Sequence, residues 1–148
     1  NTLGQYIFGA LAHESHAELH NWYEQQRDYY RQMIFELYQG FKDIEPEFII
    51  SNPEASIYFV IDVRNVAKPG FDGVEFAAWC AEHGRVTLDD GNDYTLLMAP
   101  LNGFYSGLNG DNNPGKTQLR VSFCENPELL KLAPVLLSKL FRAYEAQR

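Results

Sequence analysis

Positive charge is scarce in this chain. Twelve lysines and arginines stand against twenty aspartates and glutamates in 148 residues, a formal net charge of −8. That balance repels a phosphate backbone and argues against a nucleic-acid partner. Long apolar runs are missing too: nothing approaches the ~20 residues that a membrane-spanning helix needs, and no leader pattern opens the sequence. No membrane partner is expected, and the protein reads as cytoplasmic. There are only two cysteines, Cys80 and Cys124, far apart and outside any C-x-x-C spacing. Two free thiols suit this pattern better than a disulfide staple or a metal site. Also lacking are a G-x-S-x-G elbow, a phosphate-binding glycine loop and a Cys/His pair. The sequence begins at Asn1 rather than at methionine, as a processed or excised piece would.

What is present is apolar and aromatic. Apolar residues make up 45% and aromatic residues 14%, enough for one globular domain over residues 1–148. Thr2-Leu3-Gly4-Gln5 reads as a helix cap, and Ser15-His16-Ala17-Glu18 as a capping box that restarts the helix after a break near His13. From there Leu19, Trp22, Tyr23, Gln26, Tyr30, Met33, Ile34, Leu37 and Phe41 recur at steps of three and four, with only Gln26 interrupting the apolar stripe. They predict one long amphipathic helix, with Gly40 as its stop signal.

Residues 48–50 form a short extended piece, and residues 56–63 a strand apolar enough on both faces to be central in its sheet. Residues 73–83 predict a helix stopped by Gly84, with Val74, Ala77, Ala78 and Ala81 toward the core. Short strands follow at residues 85–88 and 95–100 around a polar turn. A loop then spans residues 101–115, with turn chemistry at Asn109-Gly110. Thr117, Leu119, Val121 and Phe123 alternate with Gln118, Arg120 and Ser122, the period of a half-buried strand. Asn126-Pro127 caps a last helix, striped by Leu129, Leu132, Leu136, Leu140 and Tyr144 and expected to kink at Pro134. Strands in runs without regular crossover helices favour an α+β fold. The expected architecture is two layers, a short and mostly antiparallel sheet covered by helices, behind a long N-terminal helix.

Few residues suggest chemistry. His16 and His20 lie one helical turn apart but outside an H-E-x-x-H pattern, and a solvated helix face explains them better than zinc. Asp89, Asp90, Asp93, Asp111 and Asn113 lack the calcium-loop pattern and read as turns. Arg120 lies opposite Leu119 and Val121, held in mid-strand between two β-formers. Such a guanidinium can grip a planar carboxylate through two parallel hydrogen bonds, or it can sit in an ordinary surface ion pair. Alternation alone leaves both open.

Met98-Ala99-Pro100-Leu101-Asn102-Gly103-Phe104-Tyr105, a loop, then Leu119-Arg120-Val121-Ser122 resembles the C-terminal part of class I/II aminotransferases, pyridoxal-phosphate enzymes of the aspartate aminotransferase fold type. Asn52-Pro53-Glu54-Ala55-Ser56-Ile57-Tyr58 is similar to the family's Pro-x-Gly-Ala-Phe-Tyr segment, with Ala55 and Ser56 where Gly-Ala is usual. The long first helix resembles the one that bridges the family's large and small domains. The resemblance spans essentially the whole chain and implies a small domain alone. None of Lys42, Lys68, Lys116, Lys131 and Lys139 lies in the Schiff-base lysine motif, so the cofactor-binding large domain is expected to be absent.

For the full-length protein, the resemblance implies transfer of an amino group between an amino acid and a 2-oxo acid, with pyridoxal 5'-phosphate as cofactor and a homodimer as assembly. Arg120 would bind the substrate α-carboxylate, Phe104 would form an apolar wall beside it, and the domain would close over substrate. No catalytic, cofactor-binding or metal-ligating residue is expected in this chain, which alone would be inactive. The same motifs also fit a related pyridoxal-phosphate decarboxylase or lyase, or a non-catalytic binding or dimerisation module.

Overall fold

Side-chain caps set where the chain begins to coil. In the computed structural model, Asn1 accepts a hydrogen bond from Gly4 N at 3.0 Å and starts α1 (Thr2–Ala10). The cap is therefore one residue earlier than Thr2, since Asn ranks above Thr as an N-cap. A 3₁₀ turn, Leu11–His13, interrupts the coil. Ser15 then closes its capping box: Glu18 N donates to Ser15 Oγ at 3.2 Å, and Ser15 N donates to Glu18 Oε2 at 3.1 Å. This opens α2 (His16–Ile44). The structure describes every residue except Ala55 and Asn109, together with the side chain of Asp111. The readings that rest on those three residues, including the Asn109-Gly110 turn, lie outside the described residues.

The chain divides into two compact units, Asn1–Met33 and Ile34–Arg148. The first unit leaves much of its apolar surface bare. Leu3, Tyr6, Ile7, Phe8, Trp22 and Tyr23 are all exposed. A groove of about 570 Å³ is lined by Phe8, Leu11, Leu19, Trp22 and Tyr23, with Glu14 and Glu18 at its side.

The second unit is an α+β domain. Its principal sheet runs in the order β1 (Ile49–Ile50), β2 (Tyr58–Asp62), β6 (Gln118–Ser122), β5 (Ala99–Pro100), antiparallel at every pairing. A separate hairpin pairs β3 (Val86–Thr87) with β4 (Asp93–Tyr94). Phe59, Ile61, Leu119 and Val121 fill one face of the sheet and are buried. Phe59 meets Phe41 of α2 at 5.6 Å and stacks on Phe123 at 6.4 Å. Behind them Phe76 of α3 (Gly73–Glu82) packs on Phe71, Phe141 and Tyr144, the last two from α5 (Ala133–Gln147).

Three sequence expectations need correction here. Gly40 does not end α2, which continues to Ile44. A Cβ at Gly40 would come within 3.0 Å of the Pro134 ring, so the glycine permits close helix approach and is no stop signal. In α3 the core face is Gly73, Phe76 and Cys80, whereas Val74, Ala78 and Ala81 are exposed. The large side chains decide the helix's rotation, because burying Phe76 removes more apolar area than burying several alanines. The last helix is also broken rather than kinked. A short α4 (Pro127–Leu130) precedes α5, and Pro134 lies in the first turn of α5, where its missing N–H costs nothing.

Candidate functional site

The sheet's other face is where chemistry collects. Strand alternation places Gln118, Arg120 and Ser122 of β6 there, and antiparallel register sets them opposite Asp62, Val60 and Tyr58 of β2. Arg120 is paired on both sides, with Val60 of β2 and Ala99 of β5, so its strand is central and its backbone is fixed. Tyr58 is the diagonal neighbour, within reach of a long side chain. The Arg120 Cζ lies 4.4 Å from the centroid of the Tyr58 ring and 5.2 Å from that of Phe104. Both contacts fall within cation–π range.

Phe104 closes a 3₁₀ turn, Asn102–Phe104, and is 60% exposed, so it holds no place in the core. Among the described residues no carboxylate pairs with Arg120. The guanidinium's N–H donors point outward in its own plane, and with no described carboxylate taking them they can meet a planar anion. Sequence reasoning singled out Arg120 and Phe104, which the fold brings together. It missed Tyr58, although strand alternation in β2 puts Tyr58 on the same face as Val60.

Asp62, at the same face's other end, is 4% exposed and densely bonded. It accepts from Arg64 N at 3.0 Å, Arg64 Nε at 2.7 Å, Arg64 Nη2, Thr117 Oγ1 at 2.8 Å and Gln118 Nε2 at 3.1 Å. Burial acts to raise its pKa. The bonds from Arg64, Thr117 and Gln118 outweigh that and hold the carboxyl below the ordinary value. Gln118 also accepts from Tyr105 Oη.

The loop that carries Phe104 is held by several further contacts. Asn102 Nδ2 donates to both Asp72 oxygens at 3.2 Å, and Asn113 Nδ2 donates to Asn102 O at 2.8 Å. Gly115 backs directly on the loop: a Cβ there would lie 2.4 Å from Leu101 O. Before β2, Ser56 takes φ +79°, a left-handed conformation that costs a side chain about 1 kcal/mol.

Three of the lysines hold polar partners within the chain. Lys42 Nζ donates to Phe48 O at 2.8 Å, Lys68 Nζ donates to Glu145 O, and Lys131 pairs with Glu128 at 2.8 Å. These amines are spent on backbone carbonyls or a surface carboxylate. Among the described residues no three of His, Cys, Asp and Glu stand together as metal ligands, and no helix is long and apolar enough to cross a membrane. Cys80 and Cys124 are both free thiols, the first buried and the second exposed.

No family profile matches the sequence, and no curated protein matches it. Solved structures do. The crystal structure of an archaeal alanine:glyoxylate aminotransferase superposes with a TM-score of 0.55 at 19% identity, over 80% of this chain and 24% of that one. The match spans about a quarter of the aminotransferase chain. At that identity it establishes a likeness of fold.

Proposed function

We propose that this chain is the small domain of a pyridoxal-phosphate-dependent aminotransferase and that Arg120 binds the α-carboxylate of its amino-acid and 2-oxo-acid substrates. The observation that carries the reading is an uncommitted guanidinium on a rigid central strand, flanked by Tyr58 and Phe104. A structural arginine in such a place would be expected to carry a carboxylate partner, as Arg64 does with Asp62. The fold likeness to an aminotransferase supports the assignment. The cofactor would be held by residues beyond those described, and Arg120 would orient the substrate beside it. Two in-plane donors fix both position and rotation of a carboxylate, which a single point charge does not.

The test is kinetic, in the protein that joins this chain to a cofactor-binding part. Arg120→Lys should fold normally yet lose at least tenfold in kcat/KM, because each charge-assisted hydrogen bond is worth about 1.5–3 kcal/mol. Arg120→Ala should lose more, and equally for two amino acids with different side chains. Retention of both kcat/KM values within about threefold in Arg120→Ala would overturn the carboxylate role.

A further inference from the structure

We infer that Tyr105 and Gln118 are positioning residues of the Arg120 site. Their hydrogen bond, anchored through Gln118 on Asp62, holds Phe104 over the guanidinium. This rests on the carboxylate-binding reading for its purpose, but its geometry stands independently of that reading. Gln118 and Arg120 are two apart on β6 and so project from the same face. Gln118 is used at both ends of its amide: Nε2 donates to Asp62 at 3.1 Å, and Oε1 accepts from the Tyr105 hydroxyl. That hydroxyl belongs to the residue immediately after Phe104.

The turn is thus pinned at its start by Asn102, through Asp72 and Asn113, and at its end by Tyr105. Phe104 itself is 60% exposed, so burial does little to hold it in place. Without the Tyr105 link, the turn would keep its Asn102 anchor and the ring only its contact with Arg120. Asp62 therefore acts on Arg120 at second hand, through one amide and one hydroxyl.

The isolated 148-residue chain, ¹⁵N-labelled, provides the test. The Arg120 Nε–Hε resonance is assigned by its loss in Arg120→Lys, and Phe104→Leu measures how far the Phe104 ring current displaces it. Tyr105→Phe should reproduce most of that displacement although Phe104 is still present. Gln118→Met, which cuts the same link from the strand side, should do likewise, so a folding defect in either variant leaves the other to decide. An Arg120 resonance unmoved in the folded variants overturns the inference.

Titration with propionate separates this result from the functional reading. The wild-type Arg120 signal should shift and saturate, and Tyr105→Phe should weaken the apparent affinity about threefold or more. A wild-type signal that propionate does not move refutes the carboxylate role, while the ring-current shift still decides the tether. Propionate binding equally well to wild type and Tyr105→Phe overturns the tether's bearing on the site.

Discussion

Replacing Asp62 by asparagine tests the electrostatic anchor at the other end of the Arg120 face, and its cost follows from the bonds in place. In Asp62→Asn one oxygen is kept and can still accept from Arg64 N and Thr117 Oγ1. The other becomes an amide nitrogen facing Arg64 Nε, Arg64 Nη2 and Gln118 Nε2, so donors oppose donors. Hydrogen bonds to a charged group are worth about 1.5–3 kcal/mol each. The Arg64 side chain is 49% exposed and recovers water when released, so its share is discounted. The loss that remains is centred on Gln118 and the removed charge, roughly 2–3 kcal/mol.

Urea unfolding followed by Trp79 fluorescence reads it, in a Trp22→Phe background so that only the second unit reports. The midpoint should fall with the slope unchanged. The folded pKa of Asp62 is depressed, so its contribution is fully present above the unfolded value of about 3.9. It is lost as pH falls through the lower, folded value. The gap between wild type and Asp62→Asn should therefore be constant at neutral pH and close only below about pH 4. A difference under ~0.5 kcal/mol at pH 7, or one that stays constant through the acid limb, would refute the anchoring role.

Two further outcomes follow from exposure. Cys124 should react quickly with a thiol reagent. Cys80, fully buried and pushed up to about 12 by burial, should react only on unfolding; two fast thiols in the native chain would contradict its place in the core. The bare apolar surface of Asn1–Met33 should drive concentration-dependent self-association, weakened by Trp22→Glu at the groove. A strictly monomeric sedimentation profile at high concentration would count against it.

Much of the scaffold was legible because its signals are local. The capping box at Ser15 and Glu18, the Asn126 cap and the alternation from Gln118 to Ser122 each need only a few adjacent residues. The failures have a common cause: they depended on what lies across a contact. Gly40 looks like a stop signal until Pro134 is packed on it. The rotation of α3 was set by Phe76 against Phe71, Phe141 and Tyr144, partners distant in sequence. Residues 95–98 have strand composition, but only Ala99 and Pro100 find a ladder, where β6 is available to pair.

The same distinction governs the candidate site. Which face Arg120 occupies is local information, since period-2 alternation fixes it. What shares that face is set by register, and a slip of one residue in the β2–β6 pairing would exchange Tyr58 for a buried neighbour. Register here is held by the buried face: Phe59 and Ile61 must meet Val121 and Leu119, or the core opens. The hydrophobic layer thus determines which ring stands beside the arginine, although it lies on the opposite face of the sheet. Phe104 arrives by a different route, on a turn fixed through Asn102 and Tyr105 by polar contacts. One ring is therefore placed by apolar packing and the other by hydrogen bonds that lead to Asp72 and Asp62. For that reason the two sides of Arg120 should respond differently to perturbation, with Phe104 the one that loosens first when the Asp62 network is broken.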